Sequence, residues 1–379
     1  MPGNPLLELR RLGQSIWLDS IDRTLLSSGR LAELVNRGEV QGVTSNPTIF
    51  QKAIETCNEY DAVIRSLSQS GRDTIAIYDE IAARDIRDAA DVLRPVYDET
   101  AGGDGYVSIE VSPTLAHDMA GTVEEAKRLF ATVGRPNVMI KVPGTPAGVT
   151  ALTELIADGV NVNATLLFSP DNYEQVARAY IAGLKRLAAR QAPLDRVASV
   201  ASFFVSRVDT AVDRLLEDRL RETTDPARQA LIRGLLGQTA IANAKVAYQR
   251  FKRIFSEPPF PALKERGARL QRPLWASTST KNPAYRDVMY VEELIGPDTV
   301  NTMPPATLEA FRDHGRVRLS LEENVDRAYQ VFEQLAELGI DMDRIYAELQ
   351  AAGIQAFADS FRGLLACIRE RQAAVTQQR

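Results

Sequence analysis

Short apolar runs alternate with longer amphipathic segments along most of the chain. Helical periodicity marks segments such as 124–134, 171–191 and 226–255, and further helices are predicted within 304–319 and 322–371. Strands that alternate with helices indicate a parallel sheet with crossover helices. The candidate strands are the runs at 15–20, 40–46, 106–112, 138–143, 160–168, 197–205, 272–278 and 299–303.

The number of these units favours one architecture. Eight strand–helix units predict an α/β protein built as a closed (β/α)8 barrel, the TIM barrel, here with an N-terminal arm and a C-terminal helical extension. The alternative, a doubly wound sheet, usually carries a glycine-rich fingerprint after its first strand. The segment SIWLDSIDRTLLSSG contains no G-x-G-x-x-G pattern, so the barrel is preferred.

No stretch rich in Gly, Ser and Pro divides the chain, so residues 1–379 are expected to form one barrel domain. The segment SEPPFPALKERG, within the insert at 250–272, is interpreted as an exposed loop.

Polar residues occupy every second position in several of the predicted strands. Asp19, Glu110, Lys141 and Thr165 each stand near the C-terminal end of a different strand, with apolar residues on the opposite face. Buried parallel strands are normally apolar on both faces, so this alternation is informative. In a barrel the apolar faces pack on the helices, and the polar faces point into the lumen near the end where active sites lie.

Lys141 is the most unusual of these residues because it lies between Ile140 and Val142 in a barrel without sheet edges. A buried ammonium group is costly unless it is paired. Lys141 is therefore either ion-paired with Glu110 or Asp19, or held as a neutral amine with a lowered pKa. The second state is the one that a Schiff-base nucleophile requires.

The surrounding residues suit chemistry on such a Schiff base. Glu110 can shuttle protons while the imine forms and hydrolyses, through a water held by Thr165, and Asp19 can take the proton from the hydroxyl next to the bond that breaks. The sequence has only two histidines, His117 and His314, so a three-histidine zinc site is impossible. We expect neither a metal nor another cofactor.

Basic and hydroxyl residues follow two further strands. Arg207 follows VASFFVS, and Lys281 follows WASTST, which contributes Ser277. Arginine can bind a phosphate through two parallel hydrogen bonds, and lysine supplies a point charge. Together these residues predict a phosphate-binding site at the same rim as Lys141.

The composition of the chain limits the kinds of molecule that the protein is expected to bind. The 379 residues include 45 Lys plus Arg and 50 Asp plus Glu, a net charge of −5, which argues against a protein that binds nucleic acid or anionic membranes. No apolar run is long enough for a membrane span, and the N-terminus is too charged for a signal peptide. We expect a cytoplasmic protein whose two cysteines, Cys57 and Cys367, are reduced.

Seven segments resemble the transaldolase family, in the same order along the chain. The longest and most specific are TSNPTIF and NVNATLLFS, and the others are IWLDSIDR, VSIEVSP, VMIKVPGTPAG, ASFFVSRVD and WASTSTKN. The resemblance implies a (β/α)8 barrel of the non-oxidative pentose phosphate pathway. It also implies transfer of a dihydroxyacetone unit from sedoheptulose 7-phosphate to glyceraldehyde 3-phosphate, giving erythrose 4-phosphate and fructose 6-phosphate.

The resemblance also implies a role for each matching residue. Lys141 is expected to form the Schiff base, Glu110 and Thr165 to hold the catalytic water, and Asp19 to serve as acid and base in carbon–carbon cleavage. The residues implied in substrate binding are Asn46 and Asn163 for the dihydroxyacetone hydroxyls, and Arg207, Ser277 and Lys281 for the phosphate, with Ser169 nearby. The sequence departs from the commonest family pattern at VPGTPAG, where many members have Ala-Ser-Thr, and at Lys281, where many have Arg.

Two other functions stay open at this point. A class I aldolase of the same superfamily, acting on fructose 6-phosphate, uses the same lysine but releases free dihydroxyacetone. A non-catalytic sugar-phosphate-binding barrel needs no buried lysine between carboxylates. In each case the expected partners are sugar phosphates, and the expected oligomeric state is a monomer or a homodimer.

Overall fold

The structure is a computed structural model that describes residues 3–377. Its strands are β1 (Gln14–Leu18), β2 (Gly42–Val43), β3 (Val107–Glu110), β4 (Val138–Pro143), β5 (Val162–Leu167), β6 (Ser199–Phe204), β7 (Arg272–Ala276) and β8 (Thr299–Met303). Its α-helices are α1 (Pro5–Arg11), α2 (Arg23–Ser27), α3 (Arg30–Asn36), α4 (Pro47–Thr56), α5 (Tyr60–Gln69), α6 (Thr74–Glu99), α7 (Met119–Val133), α8 (Pro146–Ala157), α9 (Pro170–Ala189), α10 (Ser206–Glu222), α11 (Pro226–Arg233), α12 (Thr239–Ser256), α13 (Phe260–Glu265), α14 (Met289–Glu292), α15 (Pro305–His314), α16 (Val325–Glu337) and α17 (Met342–Gln377).

The strands form a closed barrel in chain order. Each strand pairs in parallel with the next, and β8 pairs with β1 in continuous register from Gln14–Thr299 to Leu18–Met303. The predicted (β/α)8 barrel with a helical C-terminal extension is thereby confirmed. All the predicted runs overlap observed strands, although β2 covers only Gly42–Val43 of the run at 40–46.

A tryptophan fills the lumen below the candidate site. Trp17 lies two residues before Asp19, on the same face of its strand, and is fully buried. Its indole N–H donates to Asp104 at 2.9 Å. The ring lies against Gly42 of β2, where an added Cβ would come within 2.5 Å of it. A residue without a side chain is therefore needed at position 42.

The predicted helical segment at 226–255 forms two helices, α11 and α12, in the structure. The chain turns between α11 and α12, and Gly237 takes the left-handed conformation there, with φ +70°. Two carboxylates of α10 satisfy backbone N–H groups at this turn, because Asp209 accepts from Ala240 N and Asp213 from Gly237 N. These contacts favour a new helix start over a continuous helix.

The interpretation of SEPPFPALKERG as an exposed loop is wrong. Helix α13 forms within this segment, and it buries Phe260 and Leu263. The ring of Phe260 contacts Phe255 of α12 edge-on, with 4.7 Å between the ring centroids. Apolar anchoring of this kind holds the segment on the body of the protein.

Helix α17 crosses the end of the barrel where the strands finish. Near its start, the Gln350 amide donates to the carbonyls of Gly144 and Leu166, both at 3.2 Å. Further along, the Ser360 hydroxyl lies 2.8 Å from that of Thr48 on α4. The helix therefore covers the rim on which the candidate site lies. Among residues 3–377, no helix combines the length and apolar character that a membrane span requires.

Candidate active site

Four strands bring the predicted polar residues together at the C-terminal end of the barrel. Glu110 is in register with Lys141, and Lys141 with Asn163. Thr165 lies two residues beyond Asn163 on the same strand, and Asp19 directly follows β1. A cavity of about 470 Å³ opens here, and Asp19, Lys141 and Thr165 line it.

Lys141 is buried, with 4 % of its surface exposed. Its Nζ donates to the carbonyl of Ser45 at 3.0 Å and lies 3.6 Å from Oε2 of Glu110. The ring centroid of Phe357, on α17, is 6.0 Å from the same nitrogen. The sequence left two states of Lys141 open, an ion pair and a neutral amine. The structure contains the ion pair with Glu110. A proton can pass between these two groups with little movement.

Glu110 combines burial with an incomplete set of hydrogen bonds. Burial raises its pKa to about 7, against the opposing effect of the nearby Lys141 ammonium. Oε2 of Glu110 and Oγ1 of Thr165 are both buried without a hydrogen-bond partner among the described residues. Buried polar atoms are normally satisfied, so these two oxygens are suited to a small polar ligand such as water.

The backbone of β5 is irregular around Thr165. The register between β5 and β6 shifts between Ala164 and Leu167, and Leu166 takes a left-handed conformation with φ 58°. Such strain is uncommon for a leucine, and it occurs preferentially at functional sites. The irregularity includes Thr165 and Leu166, at the point where β5 meets the cavity.

Asp19 lies on the opposite side of the cavity from β5. Its Oδ1 accepts from the Thr44 hydroxyl at 2.6 Å, and that hydroxyl is 2.7 Å from the hydroxyl of Thr302. Burial raises the pKa of Asp19, while the Thr44 hydrogen bond and the charges of Lys141 and Lys281 oppose this rise. The Thr44 bond fixes the orientation of the carboxylate toward the cavity.

A basic region forms another part of the cavity wall. Arg207, in the first turn of α10, places its guanidinium 5.1 Å from the ring centroid of Phe204. It has no hydrogen-bonding or ion-pair partner among the described residues, and burial lowers its pKa. Lys281 donates to Ser279 at 2.8 Å, and the Ser277 hydroxyl lies 2.9 Å from that of Ser206. A half-buried guanidinium without an acceptor is suited to an anionic group.

The other three predicted binding residues have different surroundings. Asn46 lines the cavity, and its Oδ1 also caps α4 by accepting from Ile49 N at 2.9 Å. Asn163 is fully buried and bridges two hydroxyls, those of Ser108 at 3.0 Å and Ser202 at 2.7 Å. Ser169 caps α9 through Asn172 N and is not among the residues that line the cavity.

Sequence reasoning missed several residues of the cavity wall. In the sequence, Thr44 stands only within the longer motif TSNPTIF, and Phe357 lies within a segment predicted as an amphipathic helix. Lys52 of α4 and Ser202 of β6 also line the cavity. The period-2 alternation could have identified Ser202, which precedes Phe204 on the same face. Nothing local distinguishes Phe357 from a residue of an ordinary helix core.

The sequence matches one known protein family and is similar to several named proteins over almost its whole length. The model of the family described as Transaldolase/Fructose-6-phosphate aldolase matches residues 16–368. The protein named Transaldolase from Trichodesmium erythraeum is 46% identical over 378 residues, which cover 99% of this chain and 100% of that protein. Transaldolase 2 from Nostoc sp. is 48% identical over 365 residues, 96% of each chain. Transaldolase from Frankia alni is 47% identical over 369 residues, 97% of each chain.

Proposed function

The chain belongs to the transaldolase/fructose-6-phosphate aldolase family, and on this premise we propose that it is a transaldolase whose Lys141 forms a Schiff base with a ketose phosphate. The observation that carries the proposal is the burial of the Lys141 amine 3.6 Å from Glu110, in a cavity that Asp19 also lines. The donor is sedoheptulose 7-phosphate and the acceptor glyceraldehyde 3-phosphate. The products are erythrose 4-phosphate and fructose 6-phosphate.

The first step is imine formation. The neutral Lys141 amine adds to the C2 carbonyl of the ketose, and the carbinolamine loses water as the C–N double bond forms. This loss requires a proton for the departing oxygen, and Glu110, with a pKa of about 7, can supply it near neutral pH. The unpartnered oxygens of Glu110 and Thr165 are suited to hold the water that leaves and later returns.

Cleavage and transfer follow. Asp19 takes the proton of the C4 hydroxyl, the C3–C4 bond breaks, and its electron pair moves into the iminium to give an enamine. Erythrose 4-phosphate leaves as the aldehyde. C3 of the enamine then attacks the aldehyde carbon of glyceraldehyde 3-phosphate, and Asp19 returns its proton to the new hydroxyl. Water hydrolyses the imine, which releases fructose 6-phosphate and regenerates Lys141.

The remaining predicted residues would bind the substrate. Asn46, at the cavity wall, and Asn163, between two serines below it, would contact the dihydroxyacetone hydroxyls. Arg207, Ser277 and Lys281 would bind the phosphate. Arg207 supports this assignment because it is a half-buried cation without an acceptor in the described residues. Ser169 is proposed only as a neighbouring residue, since its hydroxyl caps α9.

We also propose that residues 1–379 form one domain and that the protein is a cytoplasmic monomer or homodimer that binds neither nucleic acid nor membranes. The closed barrel and the contacts of α17 with its rim support a single domain. Light scattering of the purified protein would decide between monomer and dimer.

Borohydride trapping tests the mechanism. The protein is incubated with fructose 6-phosphate, reduced, digested and mapped by mass spectrometry, together with Lys141→Ala and Lys245→Ala variants. Lys245 is a matched control because it is also buried, with 5 % of its surface exposed, but it lines a different cavity. We expect an adduct on the Lys141 peptide in the wild type and in Lys245→Ala, and none in Lys141→Ala.

Turnover provides the second readout. Lys141→Ala should lose activity by about 10⁶-fold, the scale seen when a covalent nucleophile is removed from other enzymes. An adduct on another lysine, or full activity of Lys141→Ala, would contradict the proposal. Accumulation of free dihydroxyacetone from fructose 6-phosphate without an acceptor would instead indicate the aldolase.

A further inference from the structure

The two parts of the basic region come from different elements of the fold. Arg207 belongs to α10, whereas Ser277 and Lys281 belong to the segment between β7 and α14, residues 277–288, here called the β7 loop. One phosphate group can contact both parts only if α10 and the β7 loop keep a fixed separation. The contacts that set this separation are therefore relevant to substrate recognition.

Two aspartate–tyrosine hydrogen bonds join α10 to the β7 loop and its continuation. Tyr285, in the loop, donates to Oδ2 of Asp213 at 2.7 Å. Tyr290, in α14 just after the loop, donates to Oδ2 of Asp209 at 2.8 Å. Asp209 and Asp213 lie one turn apart on α10, so both bonds leave the same face of the helix.

The same carboxylates also bind the start of α12. Oδ1 of Asp213 accepts from Gly237 N at 3.0 Å, and Oδ1 of Asp209 accepts from Ala240 N at 2.6 Å. The ring of Tyr285 packs so closely on Gly237 that an added Cβ there would come within 2.9 Å of it. Three segments of chain therefore meet at these two side chains, which are already occupied by protein partners.

The β7 loop is anchored on both sides of Lys281. Before the lysine, Ser206 N donates to the carbonyl of Ser277 at 3.1 Å. After it, Tyr285 is bound to Asp213. Between these anchors, the Thr280 hydroxyl donates to the carbonyls of Arg286 and Asp287, which closes the loop on itself. Losing the Tyr285 bond would remove one of the contacts that hold the C-terminal side of this loop, where Arg286 also binds Glu292 and the carbonyl of His314.

Resting on the proposed function, we propose that Tyr285 and Tyr290 are positioning residues for phosphate recognition. Their hydrogen bonds to Asp213 and Asp209 hold Lys281 and Ser277 at the distance from Arg207 that one phosphate group requires. Neither tyrosine lines the cavity, so each acts through the residues that do. Their loss should weaken binding of the phosphate while the chemistry at Lys141 stays intact.

Conservative variants test this inference. In Tyr285→Phe and Tyr290→Phe, we expect about a ten-fold increase in KM for fructose 6-phosphate and in the inhibition constant of inorganic phosphate, on the scale of losing one hydrogen bond. The value of kcat should be unchanged. Turnover with dihydroxyacetone as donor and glyceraldehyde as acceptor, neither of which carries a phosphate, should also be unchanged.

Tyr60→Phe is the matched control. Tyr60 donates to the buried carboxylate of Asp85 at 2.6 Å, but this pair joins α5 to α6 and lines no part of the cavity. We expect Tyr60→Phe to lower the melting temperature while the KM and the phosphate inhibition constant stay at their wild-type values. Equal losses with phosphorylated and unphosphorylated donors, or the same KM increase in Tyr60→Phe, would overturn the inference.

Calorimetric titration with inorganic phosphate separates this inference from the proposed function, because phosphate binding requires no Schiff base. In one outcome, the wild type binds phosphate, Tyr285→Phe binds it more weakly, and no adduct forms on Lys141. The proposed function then fails, whereas the positioning role stands. If Lys141 is trapped but neither tyrosine variant alters phosphate binding, the positioning role is wrong.

Discussion

The two carboxyl groups of the candidate site differ in what surrounds each one. Glu110 lies 3.6 Å from the Lys141 amine and has one oxygen without a hydrogen-bond partner in the described residues, whereas Asp19 is held by Thr44 at 2.6 Å. Burial raises the pKa of both. A mobile proton at Glu110 and an oriented base at Asp19 suit the two kinds of proton transfer that the proposed reaction needs.

Replacement of Glu110 tests its role in imine formation. We expect Glu110→Gln to lower kcat/KM for the donor by about 10² to 10⁴-fold, because an amide cannot supply a proton to the departing water. In the wild type, kcat/KM should fall as the pH rises through about 7, since Glu110 then loses its proton. The fall in kcat/KM above this pH should be absent from the pH profile of Glu110→Gln. If the variant showed the same fall, a group other than Glu110 would be responsible for it.

The Thr44 hydroxyl offers a way to change Asp19 without removing it. Thr44→Val deletes the hydrogen bond that lowers the pKa of Asp19, so this pKa should rise and a smaller fraction of Asp19 should be ionised at a given pH. We expect the acidic limb of the kcat profile to move to higher pH. Thr48→Val is the control, because Thr48 lines the same cavity but bonds to Ser360. Identical shifts in both variants would contradict this account.

At the residue scale, alternation along the strands predicted the grouping of Asp19, Glu110, Lys141 and Thr165. This succeeds because a period of two assigns each strand residue to one face, and a closed barrel turns that face into a shared lumen. The Ser-Pro-Asp pattern at 169–171 is also typical of a helix cap, and the Ser169 hydroxyl does cap α9.

Helix α17 contributes to the site from outside the barrel. Phe357 lines the cavity 6.0 Å from the Lys141 nitrogen, and Gly353 brings the helix close to Leu166, where an added Cβ would lie 2.9 Å from that side chain. Gln350 binds the strained backbone of β5 through the carbonyl of Leu166. The helix therefore closes one side of the cavity with an apolar ring.

A smaller side chain at position 357 tests the effect of this ring. We expect Phe357→Leu to increase the release of free dihydroxyacetone in the absence of an acceptor several-fold, because water would reach the Schiff base more readily. Phe361→Leu is the control. Phe361 lies one turn further along α17 and contacts Tyr78, with 5.3 Å between ring centroids, without lining the cavity. Equal release from both variants would show that loosening α17, and not the ring itself, admits water.

The sequence predicted α17 as a helix but gave no information on its position. Its apolar periodicity is local, whereas the contact between Gln350 and Leu166 spans 184 residues. The break after α11 was missed for a related reason. The helical pattern continues through Gly234 and Gly237, and the carboxylates that satisfy the new helix start come from α10. Contacts of this kind depend on the tertiary fold and leave no mark on the local pattern.

On the scale of the whole molecule, buried acids with raised pKa values should make stability depend on pH. Burial is the main cause that raises the pKa of Glu110 to about 7, of Asp209 to about 7 and of Asp85 to about 6. The unfolded chain loses these protons near pH 4, whereas the folded state keeps them to higher pH. The free energy of unfolding should therefore fall as the pH rises from about 4 to about 7.

Asp209 is the best residue with which to test this dependence, because burial and the charge of Asp213 both raise its pKa. Among the described residues, only hydrogen bonds from Ala240, Tyr290 and Thr239 oppose this rise. Its shift corresponds to up to about 4 kcal/mol between pH 4 and pH 7. Between pH 5 and pH 8, the free energy of unfolding measured with urea should therefore decrease less for Asp209→Asn than for the wild type.

The surface residue Asp158 is the control, because its pKa is lowered in the folded protein. Lys127 and Arg190 lower the pKa of Asp158, so its contribution to stability is lost only as the pH falls below about 4. Asp158→Asn should therefore change the free energy of unfolding by the same amount at pH 5 and pH 8. If Asp209→Asn behaved in this way too, Asp209 would already be ionised in the folded protein at pH 5. The buried pair of Asp209 with Tyr290 would then be charged throughout the neutral range.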